Sequence, residues 1–180
     1  QGKKLDRLLT QTLAVLMNSG LPVLVSSTGE RPPAARAIAI IRDEHRSLAA
    51  VMHAWMHALS LATASGAVPD ATLMRAIVRY LKNFPATLHH PKEEQHLFAR
   101  LRERSEACAA ELDELHRQHE RDTQWIATLA QRVEELAAAD AAAQPAVTRQ
   151  LEQDVQAYAR FLWDHMGREE GVILPAAQAH

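Results

Sequence analysis

Two ten-residue stretches of this chain, residues 89–98 (HHPKEEQHLF) and 165–174 (HMGREEGVIL), share one frame. Each reads His, two residues, a basic residue, two glutamates, two residues, then two apolar residues. On a helix, residues four apart share a face, so His89 with Glu93 and His165 with Glu169 each aim an imidazole and a carboxylate at one place. Two such helices face to face would offer two His and two Glu to a common centre. A chain that repeats this frame near its middle and its end has to bring those two helices together.

The intervening sequence supplies the means. Gly is rare, aromatic residues make up 4% of the chain, and Ala and Leu abound, a composition that favours helices over strands. Ile38, Ile41, His45, Leu48, Met52, Trp55 and Leu59 alternate three and four apart, the seam of a helix running from about residue 35 to 62. Residues 65–70 (SGAVPD) form a turn, with Asp70 as N-cap of a second helix striped by Leu73, Ile77, Leu81 and Phe84. Pro85 should kink that helix, and Pro91 fits the first turn of a further segment. A third helix from residue 105 to about 139 is lined by Leu112, Leu115, His119, Ile126, Leu129 and Val133. A fourth, from about residue 146 past Glu170, is lined by Leu151, Val155, Tyr158, Leu162, His165, Glu169 and Val172, and Pro175 should end it.

The fold expected is all-α: an antiparallel up-down-up-down four-helix bundle, its short loops making neighbours antiparallel. Residues 36–180 form the bundle, and residues 1–35 an N-terminal helical appendage: Leu5, Leu8, Leu9, Leu13 and Leu16 make an apolar stripe, and residues 26–33 (SSTGERPP) read as a loop.

Each core helix then carries one His in its seam, where an apolar residue is expected, and burying a lone imidazole is costly. The candidate ligands are His45, His89, Glu93, His119, His165 and Glu169. Four imidazoles and two carboxylates suit iron or manganese better than zinc, and six ligands suit two metals sharing both carboxylates. His90 with Glu94 has the same spacing and its stripe continues into Leu97 and Leu101, but the repeat favours His89 with Glu93. His116 is a candidate for a group that backs a ligand from outside, or for a fifth imidazole. His53, His57 and His96 fall off the seams and read as surface residues. Tyr158 reads as packing, with electron transfer as the other reading.

Other classes find no support. A net charge of −2 gives no reason to expect nucleic acid or an anionic membrane as partner, and a single cysteine, Cys108, excludes an intrachain disulfide and a CxxC motif. No apolar run is long enough to span a bilayer, and a cytoplasmic location is expected.

With DEH at residues 43–45, HHPKEEQHLF, ELHRQHE around His119 and HMGREEGVILP, the chain resembles the hemerythrin-like, HHE cation-binding family over residues 37–177. The resemblance implies a non-haem centre of two iron ions bridged by the two glutamates and an oxo or hydroxo group. It also implies a small ligand: oxygen, nitric oxide or peroxide. Activities associated with the family range from binding or sensing that ligand, through oxidoreductase turnover, to iron storage or donation for iron–sulfur cluster repair. Any signalling would pass through a separate protein partner or a homodimer. Oxygen carriers of the family have a further His four residues before the one matching His119; here that position is Leu115. One iron is then a ligand short, or takes His116.

Overall fold

The computed structural model describes residues 33–179, and every regular element among them is helical. The leucine stripe of residues 5–16 and all but the last residue of the 26–33 loop lie outside the described residues. Helix α1 spans Pro33–Ser65. Helix α2 begins as Ala71–Asn83 and continues through a π-helical turn (Pro85–His89), a short α segment (His90–Lys92), a second π turn (Glu93–Phe98) and a last α segment (Ala99–Arg104). Helix α3 is Ala109–Ala138. Helix α4 is Gln144–Arg168, followed by a π turn (Glu169–Ile173) and Leu174–Ala179.

Local chemistry sets these boundaries. Gly66, at φ 67°, takes the left-handed position that ends α1, and the Ala67 amide closes back on the Ala62 carbonyl at 3.1 Å. Asp70 caps α2 as its position suggested, accepting from the Thr72 amide at 2.8 Å. The Asp140 carboxylate accepts from the amides of Ala142 and Ala143, turning the chain into α4 with Pro145 in its first turn.

The four helices form a bundle in which α4 packs against α1 and α3, α3 against α2, and α2 more lightly against α1. The seam foreseen for α1 is buried at every position, from Ile38 to Leu59. One large core, centred on Met52, Trp55, Leu81, Leu129, Tyr158 and Leu162, fills most of the bundle. Two smaller clusters close one end: Phe98, Leu101, Cys108, Leu112, Leu115 and Ile173, and beside them Ile38, Ile41 and Leu174. The polar residues of the repeated frame lie at the level between large core and small.

The π turns correct two expectations, the burial of Val172 and the end of α4 at Pro175. A π turn bonds each amide to the carbonyl five residues back, as Leu174 does to Glu169 and Ala99 to Glu94. One extra residue per turn shifts the register downstream. Val172, expected in the seam, is therefore 44% exposed, while Ile173 and Leu174 are buried. In α2 the same shift buries Phe98 and leaves Leu97 only partly covered. Pro175 does not end α4: it falls in the first turn of the segment after the π turn, where a missing amide donor costs little. Pro85 likewise opens a π turn.

Candidate metal centre

The side chains of Glu93 and Glu169 are wholly buried and stand at the middle of a polar pocket. Each carboxylate turns one oxygen to either side. Glu93 Oε1 lies 3.3 Å from His89 Nε2 and 3.7 Å from His45 Nε2; its Oε2 lies 3.6 Å from His119 Nε2. Glu169 Oε2 lies 3.0 Å from His45 Nε2; its Oε1 lies 3.6 Å from His165 Nε2 and 3.9 Å from His119 Nε2. Two overlapping sets of ligand atoms result, each within a 4.8 Å compass: His45, His89, Glu93 and Glu169, and Glu93, His119, His165 and Glu169.

All six residues expected from the repeat and the seams are thus brought together. A seventh joins them. His90 is 5% exposed and forms a third close set with His119 and His165, its ring stacked on that of His119 at 4.1 Å. His89 and His90 are therefore not alternatives: adjacent helical residues point about 100° apart, and the two serve opposite sides of Glu93. A further imidazole thus stands in the cluster, and it is that of His90 rather than His116. The His116 side chain is 56% exposed and hydrogen bonds to Glu94 at 3.0 Å. Glu94 does not replace Glu93; it lies behind His119. His53, His57 and His96 are exposed as expected.

Behind the imidazoles stands an outer layer. His45 Nδ1 pairs with Glu170 at 2.9 Å, His89 Nδ1 with Glu44 at 2.8 Å, His119 Nδ1 with Glu94 at 2.8 Å, and His165 Nδ1 with Gln118 at 3.0 Å. Lys92 in turn bonds the other oxygen of Glu44, and Gln118 donates to Asp164. His90 Nδ1 faces Asp122 at 3.8 Å, and Tyr158 donates its hydroxyl to that carboxylate at 2.8 Å. These partners fix each ring so that Nε2 points inward, the arrangement that orients metal-binding histidines. The sequence held a signal for them. Glu44, Glu94, Gln118 and Glu170 each adjoin a candidate ligand in the chain, and each backs an imidazole on a different helix.

The inward atoms have the character of a site built for cations. All four oxygens of Glu93 and Glu169, and Nε2 of His45, His90, His119 and His165, are buried without a hydrogen-bond partner. Unsatisfied buried groups cost about 1–3 kcal/mol each, more when charged. Eight such atoms in one pocket are a large debt that metal ions, bound by those same lone pairs, would remove.

Protonation in the metal-free chain shows the same strain. Burial and the charge of Glu93 push Glu169 up to about 7, so one of the two carboxylates holds a proton near neutrality. Burial also works against ionisation of Glu93, yet the surrounding imidazoles, His89 foremost, hold it well below the usual carboxylate range. Burial opposes a charge on His45, but the close carboxylates of Glu169 and Glu93 outweigh it and raise it to about 10. His165 falls to about 3 through burial and the neighbouring His119, and His90 is pushed down for the same two reasons.

The family profile of the hemerythrin HHE cation-binding domain matches residues 36–177. No curated protein and no solved structure is significantly similar to the chain.

Proposed function

Because the chain belongs to the hemerythrin HHE cation-binding family, we propose that it is a non-haem di-iron protein that binds or senses a small oxidant: oxygen, nitric oxide or peroxide. The observation that carries this reading is the pocket of buried, unpartnered carboxylate oxygens and imidazole nitrogens. His45 and His89 would hold one iron and His90, His119 and His165 the other, with Glu93 and Glu169 shared between them. Iron held there would supply one-electron redox chemistry and an affinity for small oxidants.

The chain's own residues do the rest. Glu170, Glu44, Glu94 and Gln118 keep each Nε2 aimed inward. Phe98, Leu115, Ile173 and Leu162, none more than 1% exposed, exclude bulk water on both sides of the pocket. Every candidate ligand is at most 8% exposed, which restricts access to molecules of a few atoms. The centre lies early in α1 and α3 and late in α2 and α4, a placement that supports the up-down-up-down reading of the bundle.

The test combines iron analysis with optical spectra of anaerobically loaded protein. The reading expects about two irons per chain and a spectral change on adding oxygen, nitric oxide or peroxide. Saturation at one metal defeats the dinuclear centre. Loaded iron that ignores all three oxidants but passes to an apo-acceptor makes the protein an iron donor. Sustained consumption of peroxide or nitric oxide with a reductant makes it an oxidoreductase.

A further inference from the structure

A groove of about 360 Å³ opens between α1, the end of α2 and the last turns of α4. Its walls are the first turns of α1 (Ala37, Ile38, Ile40, Ile41) and the far end of α2 (Leu97, Leu101). Ala177, on the last turns of α4, closes it. Ile38, Ile41 and Leu101 form a buried floor, while Ile40 at the lip is 38% exposed. A hollow of this volume would hold on the order of ten waters against a lining that is mostly apolar but also includes Lys92, His96, Arg100 and Arg104. Water so placed is readily given up to an apolar side chain.

The chain carries a matching segment at the right place. The groove begins at Ala34, one residue after the first described residue, Pro33. The 32 residues that precede Pro33 include Leu5, Leu8, Leu9, Leu13 and Leu16, spaced as one apolar face, and then residues 20–32, rich in Gly, Pro and Ser. A linker of that length spans on the order of 20 Å even as a coil, so the leucine stripe can return to the groove at whose edge its own chain enters. Tethering makes this an intramolecular encounter, at effective concentrations in the millimolar range for short linkers.

We propose that residues 5–16 of this same chain seat their leucine face in the groove formed by α1, the end of α2 and the last turns of α4. The groove is then a docking surface for the N-terminal segment. The proposal does not depend on what the metal centre binds.

Cysteine cross-linking in the 180-residue chain tests it. In a Cys108→Ser background, Ile40→Cys is combined in turn with Leu5→Cys, Leu9→Cys, Leu13→Cys or Leu16→Cys. Controls pair the same four positions with Val68→Cys, which is exposed in the loop after α1. Circular dichroism verifies that each variant keeps its helices. Under mild oxidation at least one Ile40 pair should close an intrachain disulfide ten-fold faster or more than its Val68 control, seen as a faster band on a non-reducing gel. Equal rates at Ile40 and Val68 for all four positions overturn the proposal. Bands of twice the mass, with rates that rise with protein concentration, assign the groove to a second copy and overturn it as well. An apolar dye gives an independent reading. Its fluorescence should be low with the unaltered chain and rise several-fold in Leu8→Asp/Leu9→Asp, and a rise that Ile40→Lys does not reverse counts against the groove as the dye's site.

Discussion

The acidic turn of α2 and the acidic turn of α4 are written in one frame, yet they contribute unequally. In α4 the residue after the His is Met166, 8% exposed, and the turn presents one imidazole. In α2 it is His90, and the turn presents two, one to each side of Glu93. Both glutamates begin a π turn; α2 has a further π turn ahead of it, opened by Pro85 and ended by His89. The shared frame fixes where the carboxylates sit, and the difference at His90 places two imidazoles on one side of the cluster and three on the other. A repeat therefore specifies a symmetric scaffold, and asymmetry enters at the positions where the copies disagree.

The largest expected effect falls on what the two turns share. Glu93→Gln and Glu169→Gln each weaken an oxygen on both sides at once, so each should reduce bound iron from about two per chain to one or none and remove absorbance of the paired centre. Two irons retained in Glu93→Gln would mean that the α2 carboxylate does not bridge. Next is the position at which the copies differ. His90→Met makes the α2 turn read like that of α4, and should strip iron selectively from the side of His119 and His165, leaving about one per chain. Equal loss from both sides, followed by Mössbauer spectra, would break the assignment of His90 to one side.

A third comparison sets Glu44→Gln against Glu170→Gln. Loss of a group that orients a metal-binding imidazole weakens metal binding about 10- to 100-fold. The Glu44 variant should lie at the upper end, because Glu44 is 2% exposed and water cannot replace it, whereas the Glu170 side chain is 44% exposed. Competition with a chelator measures both, and the reverse order would contradict the outer layer described here.

Stability against pH separates metal-free from loaded protein. In the folded metal-free chain His45 keeps its proton to about 10, while an unfolded imidazole releases it near 6.5. That stabilisation is complete below 6.5 and is lost as pH rises towards 10. Glu169, raised from 4.5 to about 7, removes stability between those values. His165, lowered to about 3, and His90, also lowered, act oppositely: unfolded imidazoles take up protons as pH falls through 6.5, so folding loses stability on the acid side. Thermal melting of metal-free protein should therefore peak near pH 6.5 and decline towards pH 9. The gain on adding ferrous iron should grow over the same range, because protons leave the ligands as metal enters. A metal-free melting temperature that climbs steadily to pH 9 would contradict the proton bound at His45. The smallest effect belongs to His116→Ala. That side chain is largely exposed, and stability should change by no more than about 0.5 kcal/mol with iron content unaltered.

How far the chain could be read without coordinates varies along it. In α1 the seven seam positions follow plain helical spacing, and all seven are buried. The six candidate ligands were legible because a His in an apolar row or a repeated frame stands out. The π turns are not legible: an inserted residue leaves no mark in a pattern of apolar spacing, so regular spacing puts Val172 in the place of Ile173 and makes Pro175 a terminator. His90 carries no such mark beside His89, since a regular helix sends neighbours to different faces and spacing alone favours a single face of α2. The outer carboxylates were in plain view beside the ligands, but spacing alone cannot say that Glu44 serves another helix rather than its own.

That last feature bears on how the bundle chooses its winding. Glu44 of α1 backs His89 of α2, Glu94 of α2 backs His119 of α3, Gln118 of α3 backs His165 of α4, and Glu170 of α4 backs His45 of α1. The cycle runs once around the bundle in chain order and has a sense of rotation. Apolar seams carry little such sense; the same helices wound the opposite way could bury much the same leucines. In that mirror arrangement the backing groups would face away from their imidazoles. Glu44 and Gln118, both nearly inaccessible to water, would each forfeit about 1–3 kcal/mol. The polar ring thus distinguishes two assemblies that hydrophobic burial alone would leave close in energy, and it does so before any metal arrives.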